Sequence, residues 1–335
     1  MTNSKTTHLF AKDFQHITTS DAYADIAKQF LLLDINKPEQ TKTLLSKLNS
    51  DLLVASLSNS PSPSGQLVAP QNDSQPAVDL YTFYPEVKTQ GKIPVIYFMH
   101  GSGYLIGNSR QQNQSLFDLA NETGAVVISV GYRLAGEDPY PADINDAYHG
   151  LAYVFDNADE LGFDKKKVII MGESAGGGLA ARLALKVRDL GIYHLIGQIL
   201  TFPMLDYRTG SEHSLYHNPF AGEFIWLPEF NQLAWQMLKG GKEIPAEEMP
   251  YYSASMATDL SGLPRTFITV GSLDLFVNED IDYANRLISS GVQTDLLVLN
   301  GVPHGIENNS PSSPEAKRYI ETRTQIITTI FSAIE

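Results

Sequence analysis

The stretch from Lys167 to Leu190, KVIIMGESAGGGLAARLALKVRDL, restricts the folds open to this chain more than any other. An apolar run, VIIM, leads straight into Gly172-Glu173-Ser174-Ala175-Gly176, and a helix-patterned segment begins at once. A serine in G-x-S-x-G between a strand and a helix reads as a nucleophile elbow. Small flanking residues admit a sharp, strained turn, and the turn aims the hydroxyl out of the sheet at a helix N-terminus, where backbone NH groups favour developing negative charge. The competing reading of the pattern is a glycine-rich turn with a helix-capping serine.

The surroundings of the elbow have the texture it requires. From Val78 onward, apolar strand-like runs (VDLYTFYP, IPVIYFMH, AVVISVGYR, VIIMG, LIGQILTF, RTFITVG, TDLLVLN) alternate with helical patterns over 142–157, 176–190, 279–290 and 314–334. Continuous apolar runs suit strands buried on both faces, and the alternation predicts a doubly wound α/β domain over 78–335, a mostly parallel central sheet flanked by helices. Residues 1–55 carry helical spacing (Ile26, Phe30, Leu31, Leu33, then Leu44, Leu45, Leu48, Leu52, Leu53) and read as two amphipathic helices. Residues 56–77, opening with SLSNSPSPSG, read as a connecting segment. The aromatic-rich stretch 207–258 interrupts the alternation and reads as a cap or as a peripheral helix covering the sheet.

Composition narrows the chemistry. The chain has 335 residues, 24 Lys plus Arg against 38 Asp plus Glu, and a net charge of −14, which disfavours nucleic acid and anionic membrane surfaces as partners. The absence of cysteine excludes disulfides, thiolate metal sites and a cysteine nucleophile, and suits a reducing compartment. Met1 to Phe10 is polar with no apolar run behind it, and no stretch reaches the ~18 apolar residues of a membrane span, so a cytoplasmic protein is expected. No metal or organic cofactor is implied. The run Gly101-Ser102-Gly103-Tyr104-Leu105-Ile106-Gly107 superficially matches a dinucleotide fingerprint. It has three residues before its last glycine instead of two, and the next strand ends in Gly131-Tyr132-Arg133 with no acid for a ribose.

A serine hydroxyl needs a base and an acid that orients it, here expected in the order Ser, Asp or Glu, His on loops after later strands. Asp274 follows RTFITVGSL and His304 follows TDLLVLNGVP, both where a strand reaches the carboxyl edge of the sheet. His194, His213 and His217 lie before a strand or in the aromatic insertion, and Glu279, Asp280 and Asp282 lie within the following helix, where acids near the first turn are stabilising in any case. For the oxyanion hole, His100-Gly101-Ser102-Gly103 stands where an HGGG-type loop contributes donors. The backbones of Ser102 and Gly103, with that of Ala175, are the candidate donors, and His100 is read as structural.

Five motifs in order, HGSGYLIGN, GYRLAGEDPYPADINDAY, GESAGG, the Asp274 segment LSGLPRTFITVGSLDLFVNEDIDYANRL and VPHGI, resemble those of the bacterial hormone-sensitive-lipase-like (family IV) esterases of the α/β-hydrolase superfamily. The resemblance covers roughly Val78 to the C-terminus. It implies Ser174 as nucleophile, Asp274 as orienting acid, His304 as base, Ser102, Gly103 and Ala175 as the oxyanion hole, and a helical cap made of residues 1–55 with the 207–258 insertion. It allows a homodimer, although no apolar stripe in the sequence requires one. Three departures stand out: Ser102 for the middle glycine, Gly136 for a proline, and Leu275-Phe276 where Pro and Leu are common. Glu173 has two readings, an acceptor that positions the His100–Gly103 loop or an exposed acid.

The expected activity is that of a serine carboxylesterase acting on short-chain uncharged esters through an acyl-enzyme, with rate falling as acid pH protonates His304. Tyr104, Phe220, Phe224, Trp226 and Phe276 either close a small acyl pocket or are cap core. An amidase or acyltransferase using the same triad is the alternative, and a small-molecule-binding protein on a hydrolase scaffold is a further one that retention of His304 disfavours.

Overall fold

The computed structural model describes residues 4–58, 60–87, 91–101 and 103–334. Its strands are β1 (Gly65–Ala69), β2 (Val78–Phe83), β3 (Ile93–Met99), β4 (Val126–Val130), β5 (Phe163–Glu173), β6 (Gly197–Thr201), β7 (Arg265–Gly271) and β8 (Thr294–Leu299). They form one sheet in the order β1-β2-β4-β3-β5-β6-β7-β8. Only β2 runs against the rest, pairing antiparallel with β1 and β4. From β4 through β8 every pairing is parallel. This is an α/β-hydrolase fold, with a mostly parallel sheet between layers of helices.

The apolar runs alternate across two cores because successive strand side chains point to opposite faces. Val95, Tyr97, Met99, Ile128 and Ile170 enter one core with Leu179 and Leu183 of the helix Ala175–Leu190 and Leu151 of the helix Ala142–Asp156. Ile96, Phe98, Val127, Ile169 and Met171 enter the other with Leu116 of the helix Asn113–Thr123 and Ile327 of the helix Pro314–Ser332.

Two features depart from the sequence patterning. The 56–77 segment is more than a connection: the helix Pro38–Ser58 runs into its start, and β1 adds an edge strand whose five residues show little alternation in hydrophobicity. In the helix Pro38–Ser58, Leu45 is buried, but Leu52 and Leu53 lie more than a third exposed. The apolar spacing thus extends onto the exposed part of the helix. No helix among the described residues is long and apolar enough to cross a membrane.

Buried charges hold the layers together. Arg182, fully buried in the elbow helix, donates to Asp143 Oδ2 at 2.5 Å and to the Tyr251 carbonyl at 3.1 Å. Arg133 grips both oxygens of Asp146, each at 2.9 Å. Both acids lie in PADIND, so this motif lashes its helix to neighbouring elements. Asp280 is the contrary case: it is buried in the first turn of the helix Val277–Ser289, and neither carboxylate oxygen has a hydrogen-bond partner among the described residues. Burial, and then the negative charges of Glu279 and Asp274, push its carboxyl well above the ordinary aspartate range.

Two stability outcomes follow from this contrast. Asp143→Ala strands the Arg182 cation and is expected to lower unfolding free energy by about 3–5 kcal/mol, read by urea titration. For Asp280, the unfolded chain releases its proton near pH 4 while the folded chain holds it, so the wild type loses stability as pH rises through that window. Asp280→Asn, neutral throughout, should match the wild type in acid and exceed it by about 1–3 kcal/mol toward neutral pH. Unfolding curves that stay superimposed from pH 4 to 8 would contradict this.

Candidate active site

The elbow forms because its backbone admits nothing larger than hydrogen at three points. A Cβ on Gly172 would lie 2.1 Å from the Gly176 oxygen, one on Gly176 2.2 Å from the Met99 oxygen, and one on Gly178 2.0 Å from the Met204 oxygen. β5 therefore turns directly into the helix Ala175–Leu190, and Ser174 sits between them at φ 53°, left-handed backbone that a serine adopts only under constraint. Ser174 NH bonds the Thr201 oxygen at 2.9 Å, and its own carbonyl accepts from Gly178 and Met204 NH, each at 2.9 Å.

Around this serine the carboxyl ends of β7 and β8 deliver their loops. His304 Nε2 stands 2.9 Å from Ser174 Oγ, and His304 Nδ1 stands 2.8 Å from Asp274 Oδ2. With the proton on Nδ1, the imidazole donates to Asp274 and accepts from the serine hydroxyl. Asp274 Oδ1 accepts from Phe276 NH at 3.0 Å, which fixes the carboxylate plane. Asn309 donates to the carbonyls of His304 and Gly305, both at 2.7 Å, and accepts from Tyr23 OH at 2.6 Å, so the N-terminal region braces the histidine loop. Aromatic edges complete the seat: Phe202 and Phe276 meet the imidazole at 4.8 and 5.2 Å between centroids.

The remaining sequence candidates fall in separate places. Ala175 opens the helix beside Ser174, and Gly103 lies on the loop after β3 with φ 65°, lining the same cavity as the serine. Ser102 lies outside the described residues. His100 stacks on Tyr132 at 4.5 Å, its Nδ1 lies 2.8 Å from the Gly101 carbonyl, and burial lowers its pKa to about 4, so it stays a neutral strut. Glu173 is buried and accepts from Gln112 Nε2 at 2.7 Å. Glu279 is bound inward, accepting from Leu205 NH at 2.7 Å and from Thr209, and so ties the start of the 207–258 segment to the Asp274 helix. His213 and His217 are exposed and His194 is largely so.

The cavity over Ser174 has a volume of about 190 Å³. Of the five aromatics singled out in the sequence, Trp226 alone lines it; Phe276 lies behind the imidazole, Tyr104 packs on Arg182, Phe224 on Phe10, and Phe220 is exposed. Phe202 and Ile225 are the other large apolar residues of the lining, and Gln111 and Asn308 are polar members beside Glu173 in that set. None of these four carries a local motif. Both Phe202 (φ 36°) and Ile225 (φ 68°) have left-handed backbones, which tertiary packing imposes. A larger cleft of about 510 Å³ opens beside Tyr216, His217 and Leu275, but Ser174, Asp274 and His304 do not line it, so the chemistry belongs to the smaller cavity.

Trp226 roofs the cavity: a Cβ on Gly103 would fall 2.3 Å from its ring. Phe30 of the N-terminal helix Asp21–Phe30 meets Trp226 at 6.0 Å and Phe230 at 5.2 Å. Two of the sequence departures fit this packing. Gly136 leaves room for Leu45, whose Cδ1 would lie 2.8 Å from a Cβ there, and Leu275 packs under Gly222 while Phe276 seats the histidine.

Comparison with known proteins agrees with this architecture. A family profile described as alpha/beta hydrolase fold matches residues 96–308. Carboxylesterase NlhH of Mycobacterium tuberculosis is 33% identical over 242 residues, 71% of this chain and 74% of that protein. The structure of esterase LipW from Mycobacterium marinum superposes with a TM-score of 0.79 at 26% identity, covering 98% of each chain. That of the esterase from Pyrobaculum calidifontis gives 0.75 at 28% identity, covering 93% of this chain and 98% of the other. The chain belongs to the hormone-sensitive-lipase-like branch of the α/β-hydrolase family and is a carboxylic ester hydrolase.

Proposed function

We propose that Ser174, His304 and Asp274 hydrolyse short-chain esters through an acyl-enzyme. The observation that carries this reading is the single row of hydrogen bonds from Ser174 Oγ through the imidazole to Asp274, at 2.9 and 2.8 Å. His304 removes the hydroxyl proton as Oγ attacks the ester carbonyl, and Asp274 stabilises the imidazolium that results. The same imidazole protonates the leaving alcohol, then deprotonates the water that releases the acid. Backbone NH groups of Gly103 and Ala175, with Ser102, receive the charge on the tetrahedral oxygen; the helix N-terminus at Ala175 favours that charge.

The acyl limit rests on Trp226. A cavity of about 190 Å³, or roughly six water volumes, suits short chains. Residues 1–55 and 207–258 act together as the cap, a reading supported by the Phe30–Trp226 and Phe10–Phe224 contacts between them. The cytoplasm is the proposed location, on the absence of cysteine. A homodimer is the proposed assembly, supported by β8 as an edge strand with Leu296 and Val298 more than a third exposed; sedimentation velocity reads it directly.

A p-nitrophenyl ester series from acetate to palmitate tests the activity. The expected optimum lies at acetate to butyrate, and Ser174→Ala should lower kcat by about 10⁴-fold or more. Trp226→Ala removes the roof, and the optimum should move to longer chains by two or more carbons. A folded wild type inert on every chain length would overturn the esterase reading; an unmoved optimum in Trp226→Ala would remove Trp226 as the limit.

A further inference from the structure

The cavity over Ser174 contains one charged group that the mechanism leaves idle. Glu173 immediately precedes the nucleophile, is 6% exposed and lines the same space as Ser174, His304 and Trp226. Its Oε2 accepts from Gln112 Nε2 at 2.7 Å, the one hydrogen bond the carboxylate makes among the described residues. Among the described residues no cation pairs with it: Arg323, whose charge reaches it through space, is committed to Glu307 at 2.9 Å and Glu122 at 3.4 Å. Burial, followed by the charge of Glu307, pushes the Glu173 carboxyl up to about 7. An exposed acid would not be desolvated in this way.

A bound alkyl ester displaces the water that would otherwise donate to an acceptor facing the cavity, and leaves that acceptor unpaired. A ligand that brings its own donor removes that cost. The lining then divides the work, with Phe202, Ile225 and Trp226 enclosing carbon and Glu173 receiving a polar group.

We infer that Glu173 forms a donor-recognising subsite, and that the preferred substrates are short-chain esters carrying a hydroxyl group within reach of Glu173 Oε1. This rests on the esterase reading above and narrows its substrate class. Gln112 holds the carboxylate in place, leaving Oε1 toward the cavity for the incoming hydroxyl, which donates.

Matched esters in which hydroxyl replaces methyl test the subsite. Methyl 3-hydroxypropanoate against methyl butanoate probes the acyl side, and 2-hydroxyethyl acetate against propyl acetate probes the alcohol side. Acid release is followed by titration, and each kcat/KM is divided by the ester's rate with hydroxide to remove intrinsic reactivity. In the wild type, at least one pair should favour the hydroxyl ester by about tenfold or more. Glu173→Leu should bring that pair to parity or reverse it, whereas Glu173→Gln, whose amide oxygen still accepts, should retain part of the preference. Each ratio is taken within one variant, so a general loss of rate from a disturbed elbow cancels. Parity of both pairs in the wild type, or a preference unchanged in Glu173→Leu, overturns the subsite. If Glu173→Leu does not fold, the wild-type ratios and their fall in Glu173→Gln still decide. Absence of turnover on all four esters would overturn the esterase reading and this inference with it, whereas turnover without preference removes the inference alone.

Discussion

Close backbone contact at the elbow is the constraint on which the rest of the molecule depends. Strand β5 meets its helix with no intervening loop, and this holds only because Gly172, Gly176 and Gly178 let carbonyl oxygens of Gly176, Met99 and Met204 approach to distances a side chain would forbid. The unfavourable φ of Ser174 is the local consequence. Packing overdetermines it: a bond to Thr201 on one side and two bonds to its carbonyl on the other leave the serine no relaxed alternative.

The parallel sheet turns that local geometry into a site. Strands β5, β7 and β8 point the same way, so the loops at their carboxyl ends come to one edge. Each loop is then tied down by contacts remote in sequence. Phe276 NH holds the Asp274 carboxylate, Asn309 spans the histidine carbonyls and Tyr23, and Glu279 anchors the chain leaving β6. Such anchoring keeps an imidazole within hydrogen-bonding reach of two partners at once, which transition-state stabilisation demands.

The cavity above the serine is chemically divided. Its apolar lining is Trp226, Phe202 and Ile225, and Trp226 is held from outside by Phe30 and Phe230. The rest of the lining includes acid and amide side chains, Glu173, Gln111, Asn308 and Asn309. On the readings proposed above, the apolar residues favour a short carbon chain and Glu173 a polar substituent, so that size and polarity are read by different residues.

What the amino-acid sequence determined by itself is whatever local rules encode. The small residues of GESAGG specify the elbow, continuous apolar runs specify strands buried on both faces, and a loop after a strand marks where Asp274 and His304 belong. The structure brings these three side chains into one row. Strand β1, short and weakly patterned, lacked such a signal, since pairing with β2 rather than its own periodicity makes it a strand. The cavity wall was equally silent: Phe202 and Ile225 carry no motif, and of five candidate aromatics Trp226 alone reaches the cavity. Which aromatic becomes wall and which becomes core is decided by contacts such as Phe30 on Trp226 and Phe10 on Phe224, between segments far apart in the chain. The orphaned Asp280 and the half-satisfied Glu173 belong to the same class. Their identities are written in the sequence, but the desolvation that gives them meaning exists only once the layers have packed around them.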